Sequence, residues 1–111
     1  MKQSVRKSVL GPVGRLLRSP ENWIKGQMAR ETKKGGKIVY ARSRAATCWC
    51  LTGAVERCYK TQGLQMLVRK ALLDEINTIH APRVFGCVPE WNDCKDRKFS
   101  EVSALVEKLG V

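Results

Sequence analysis

Apolar residues recur at three- and four-residue steps in four places along the chain, and each run predicts an amphipathic helix. Over residues 4–18 the stripe is Val5, Val9, Val13, Leu16 and Leu17. Gly11-Pro12 interrupts it, which predicts either a kink or a helix that properly begins near Pro12. Over 44–60 the stripe is Leu51, Ala54, Val55 and Cys58, with Trp49 near the start. The strongest repeat covers 64–79 with Leu64, Leu67, Val68, Ala71, Leu72, Ile76 and Ile79. A last helix over about 99–109 carries Phe99, Val102, Leu105, Val106 and Leu109 on one face.

The stretches between read differently. Ser19 can cap and Pro20 suits a first helical position, so residues 19–22 open a short turn bearing Trp23, Ile24 and Met28. Lys33-Lys34-Gly35-Gly36-Lys37 is a turn and Ile38-Val39-Tyr40 is β-like, which fits a small β-hairpin around residues 28–42 or a mobile basic loop. Residues 80–98 hold Pro82, Pro89, Gly86 and Asn92-Asp93, and read as loop. Val84, Phe85, Val88 and Trp91 predict that this loop packs down onto the core. The fold class is therefore mostly α: a compact four-helix single domain over residues 1–111, with one candidate hairpin.

Composition bounds this picture without changing it. A hydrophobic fraction of 43% is too high for a disordered chain, and 111 residues suffice for one core. No apolar run approaches the ~18–20 residues of a membrane span, and the basic start lacks a signal-peptide core. The expected setting is cytosolic, with no membrane partner.

Charge does change it. Residues 1–45 hold 12 Lys or Arg against Glu21 and Glu31, whereas residues 46–111 hold 9 against 8 acids. The chain is thus a basic lobe joined to a near-neutral helical part. Lys25, Arg30, Lys33, Lys34, Lys37, Arg42 and Arg44 fall within twenty residues, interleaved with Tyr40 and preceded by Trp23. Cations neutralise phosphates and aromatic rings stack on unpaired bases, so the expected partner is nucleic acid, or an acidic or nucleoprotein surface. No RNA- or DNA-binding signature is present, and sequence-specific reading is not implied.

Three stretches carry a resemblance: NWIKGQMARE (22–31), ATCWCLTGAVER (46–57) and VPEWNDCKDRKFSEVSALVEKL (88–109). The order W-x-x-G, WC-x-x-GA and WND resembles a family of small uncharacterised bacterial and phage proteins, a domain of unknown function. The resemblance implies a small mostly helical domain of prokaryotic or phage origin and supplies no activity. Where that family often has a small capping residue, this chain has Lys98, with Glu101 at the capping-box spacing. Ser100 or Asp96 is expected to take over as cap and shift the helix start.

Catalytic and metal chemistry find little support. The five cysteines, Cys48, Cys50, Cys58, Cys87 and Cys94, contain no pair with a two-residue gap, and His80 is the sole histidine. Cys48 and Cys50 lie on nearly opposite sides of the expected helix. Cys50 and Cys58 read as small buried hydrophobes, Trp49 as a core anchor, and Gly53-Ala54 as a place where another helix comes close. His80 reads as a helix C-terminal cap. Glu90, Asp93 and Asp96 read as a salt-linked turn with Lys95, Arg97 and Lys98. No metal, cofactor or catalytic group is indicated. Trp91, Asn92 and Asp93 read first as a turn stapled to the core, and alternatively as an exposed ligand site.

Overall fold

A computed structural model describes residues 10–111. The expected helical stretch over residues 4–9 lies outside the described residues. Within them the first helix, α1 (Pro12–Leu16), opens with Pro12, where a missing N–H removes no helical bond. Val13 and Leu17 enter the core, and Val13 N–H donates to Val111 O at 2.8 Å. A single 3₁₀ turn follows over Pro20–Asn22. Ser19 precedes it as expected, but its hydroxyl donates to Asn22 Oδ1 (3.1 Å) instead of capping a helix amide.

The hairpin around residues 28–42 forms. Strand β1 (Ala29–Arg30) is bridged by Ile38, Glu31 N–H donates to Lys37 O (2.9 Å), and Val39 N–H donates to Ala29 O (3.1 Å). β1 also pairs antiparallel with β2 (Cys48–Trp49), Ala29 facing Trp49 and Arg30 facing Cys48. The helix expected over 44–60 is therefore shorter. It is α2 (Leu51–Cys58); before it residues 44 and 45 lie in a turn and Cys48–Trp49 are strand. A two-residue strand has no alternation to read, and with both side chains buried its sequence is indistinguishable from the start of a helical stripe. Cys50 is the N-cap of α2, its Sγ accepting from Gly53 N–H at 3.3 Å.

Thr61 caps α3 (Gln62–Ile79) by accepting from Leu64 N–H at 3.2 Å. Only the middle of the expected stripe is buried: Leu72 and Ile76 lie in the core, whereas Leu64, Leu67 and Ile79 are exposed at 49%, 66% and 53%. The reason is length. An 18-residue helix spans about 27 Å, and its eight-residue neighbour α2 about 12 Å, so α3 overhangs the core.

The stretch 80–98 packs down through Phe85, Val88 and Trp91, which are buried, but Val84 stays 74% exposed, and the stretch is not all loop. Val88–Asn92 form a short helix, α4, with Pro89 in its first turn. The last helix, α5 (Phe99–Leu109), begins directly after Lys98. Its start does not shift to another cap. Glu101 Oε1 accepts from Lys98 N–H at 2.9 Å, so the acid half of the capping box holds alone. Five helices and one small antiparallel sheet thus make up the described residues. α1 packs on α2 and α5, and α3 on α2, α4 and α5, around a core that includes Leu51, Val55, Leu72, Ile76, Val102 and Val106.

Candidate functional site

The three tryptophan-bearing stretches meet at one buried side chain. Asn92, at the C-terminal end of α4, is fully buried. Its Oδ1 accepts from Trp23 Nε1–H (2.7 Å) and from Leu51 N–H (3.1 Å). Its Nδ2 donates to Ile24 O (3.1 Å) and to Asp93 Oδ1 (2.8 Å). Every polar capacity of the amide is used, which a buried polar group requires to avoid a desolvation penalty. Asp93 extends the junction by accepting from Gly26 N–H at 2.9 Å, where Gly26 sits at φ +83°, a backbone that side chains rarely adopt. Ile24 N–H donates to Trp49 O (3.1 Å).

The residue types follow from this geometry. Gly53 is fixed by close approach: a Cβ there would lie 2.0 Å from Met28 O. What comes close is this carbonyl beside β1, not a second helix. Trp49 anchors the core as expected, and its Nε1–H donates to Ala41 O (2.8 Å). Trp91 is buried, with Nε1–H donating to His80 Nε2 (2.9 Å). Trp91 and Asn92 are thus both buried, as the turn stapled to the core requires. Asp93 is exposed, but its Oδ1 serves the junction.

Of the expected binding residues, Lys25, Arg30 and Lys33 converge on one cleft of about 300 Å³, walled by Trp23 and Ile24. Each is held by backbone carbonyls. Lys25 Nζ donates to Cys94 O (2.7 Å) and Lys95 O (3.0 Å), Arg30 Nη2 to Gly36 O (2.7 Å), and Lys33 Nζ to Pro20 O. Trp23 is 6% exposed and occupied by Asn92, so it is a wall of the cleft and not a stacking platform. Lys25 Nζ lies 5.6 Å from its ring centroid.

Arg42 is drawn away, donating to Glu56 O and Tyr59 O at 3.0 Å each at the end of α2. The side chains of Lys34, Lys37 and Arg44 donate to no protein group among the described residues. Tyr40 is 87% exposed and rims a separate groove of about 570 Å³ with Ile38 and Met28. The ion pairs among the described residues are Lys70–Asp74, Arg97–Glu101 and Lys108–Glu75. None involves a cation of residues 10–45.

A second polar cleft, of about 330 Å³, was not singled out by the sequence. His80, Arg83, Lys95 and Arg97 line it with Asp96 and Glu101. Arg97 is nearly buried, its guanidinium 4.1 Å over the Trp91 ring, with Nε–H donating to Trp91 O (2.9 Å) and Nη1 on Glu101 Oε2 (3.2 Å). Arg83 stacks on Phe85 at 4.3 Å. The available signal was the recurrence of Arg within a few residues of an aromatic, in Arg83–Phe85 and Trp91–Arg97.

The model of a family of unknown function, DUF6197, matches residues 2–109. The chain belongs to DUF6197. No curated protein and no solved structure matches it.

In this DUF6197 chain the reactive side chains have structural surroundings. Cys48 and Cys50 sit on a strand and at a helix N-cap, not on two sides of a helix. Burial pushes the Cys50 thiol above its ordinary range, which keeps it neutral. Glu90 Oε1 accepts from Gly86 N–H (2.8 Å). The expected salt-linked turn is thus held by backbone amides on Glu90 and Asp93, and its one ion pair reaches Glu101. His80 ends α3 as expected, but what its Nε2 accepts is the Trp91 indole proton. The Glu101 carboxyl is held below the usual carboxylate range, first by the Lys98 amide and further by Arg97.

Proposed function

We propose that this protein is a non-enzymatic binding protein that docks on the phosphate backbone of nucleic acid through its basic lobe. The observation that carries this reading is that Lys25, Arg30 and Lys33 line one cleft without a carboxylate partner among the described residues. Cations gathered without counter-charge raise the local potential, and a polyanion relieves it by releasing its own counterions. The carbonyl anchors hold these side chains in place before binding, which lowers the ordering cost of the complex. Lys34, Lys37 and Arg44 add further unanchored charge to the same basic lobe. Tyr40 is the exposed aromatic ring available to an unpaired base.

The test is fluorescence anisotropy of labelled single- and double-stranded DNA and RNA at ~50 and ~200 mM salt. Four neutralised phosphates predict a loss of affinity on the order of a hundredfold between the two. Absence of binding at the lower salt contradicts the reading.

A second reading has one observation in its favour. Ile38 is 58% exposed beside Tyr40 at the rim of the larger groove, and exposed apolar and tyrosine side chains are what protein interfaces use. In this reading the chain is a bacterial phage or mobile-element accessory protein, acting in the host cytoplasm. It inhibits a nucleic-acid-handling defence complex by protein contact. It predicts a stoichiometric complex that survives ~200 mM salt, unlike backbone binding.

A further inference from the structure

The two polar clefts are neighbours. Lys25, which lines the first, donates to the carbonyls of Cys94 and Lys95, which line the second. The floor between them is therefore a pair of hydrogen bonds joining the basic lobe to the loop before α5. In the second cleft the Arg97 guanidinium is fixed on three sides by the Trp91 ring, Trp91 O and Glu101. Its Nη2 has no protein partner among the described residues. Arg83, with its Cζ 4.3 Å over the Phe85 ring, has no carboxylate within ion-pair distance among the described residues. Glu101 is already engaged on both oxygens, by Lys98 N–H and by Arg97. Asp96 is the acid left to oppose an incoming anion.

We infer that the cleft of Arg83, Lys95 and Arg97 is a second phosphate subsite, continuous with the Lys25–Arg30–Lys33 cleft, so that one phosphodiester strand crosses both. A planar guanidinium stacked on an aromatic ring presents its remaining N–H groups edge-on, the geometry that suits a phosphoryl oxygen pair. The inference rests on the proposed nucleic-acid reading and deepens it. It places part of the footprint on residues 83–97, in the half of the chain whose net charge alone would not mark it.

The experiment is the salt dependence of oligonucleotide binding for wild type and the double variant Arg83→Gln, Lys95→Gln. Both side chains are exposed, and the Lys95 carbonyl that holds Lys25 is untouched. Two lost phosphate contacts lower the slope of log Kd against log salt by about 1.5. Arg83→Lys alone, which keeps the charge, is expected to keep most of the wild-type slope. A wild type that binds, with a double variant of unchanged slope, overturns this inference and leaves the proposed function standing. No binding by wild type removes both. A second readout needs no substitution. The Trp91 indole N–H, on the ring that lies under Arg97, is expected to shift in an NMR titration with the oligonucleotide. A Trp91 signal that stays fixed while binding saturates overturns the subsite.

Discussion

The junction around Asn92 and the cleft around Lys25, Arg30 and Lys33 share a wall, Trp23, yet they are built on opposite terms. At the junction every polar atom of the Asn92 amide has a protein partner and none sees water. In the cleft the cations have carbonyl partners but no opposing carboxylate among the described residues. A satisfied buried network specifies structure, whereas uncompensated charge at a surface leaves electrostatic work for a partner. The contrast teaches that the tryptophan motifs, although the most distinctive feature of the sequence, encode how the chain is tied together. The surface available for binding lies beside them, in residues of ordinary type.

The contrast breaks if the two regions respond alike to substitution. The largest effect is expected from Asn92→Ala. It strands the Trp23 indole N–H, the Leu51 amide and the Ile24 carbonyl, at about 1–3 kcal/mol for each group left unsatisfied. A loss of about 4 kcal/mol or more is expected in urea unfolding. A loss under about 1 kcal/mol would show that water replaces the amide. Gly53→Ala comes next. It forces apart α2 and the Met28 carbonyl and is expected to cost about 3 kcal/mol by the same measurement.

Cys50→Ala removes the α2 cap and is expected to cost about 1 kcal/mol, with Cys50→Ser keeping most of it. In the folded protein Cys87, which is exposed, is expected to react with a thiol reagent well before Cys50. The smallest effect sharpens the picture at α5. Because the folded carboxyl of Glu101 titrates below its unfolded value of about 4.3, its contribution is present above that pH. It is lost as pH falls through the folded value. Glu101→Gln is therefore expected to be slightly less stable than wild type at pH 7, with the gap closing in acid. A gap that persists at low pH would mean that packing, not charge, is responsible.

Much of the architecture was legible because long periodic helices bury a continuous stripe, as α5 does with Val102, Leu105 and Val106. Short elements were not. β2 and α4 hold two and five residues, below the length at which any period shows, and their conformation comes from partners distant in sequence. The α3 stripe runs beyond the part of the helix that is covered, because periodicity reports a face and not whether a neighbour is long enough to cover it. At the site, the cations of residues 25–44 were legible as charge. Their division into a cleft, a helix-end clamp at Arg42 and unanchored Lys34, Lys37 and Arg44 was not, since it depends on which carbonyls lie within reach. The role of Asn92 was hidden for a related reason: the residue type fits an exposed turn and a buried hub equally well.

The most direct test of the division between tie and binding surface is one variant measured two ways. Lys33→Glu, Lys34→Glu, Lys37→Glu reverses charge at and beside the cleft without touching the Asn92 junction. The expected result is a midpoint of thermal unfolding within a few degrees of wild type, together with loss of the salt-sensitive oligonucleotide binding. Undiminished binding in a folded triple variant would contradict the assignment of the basic lobe as the phosphate-binding surface.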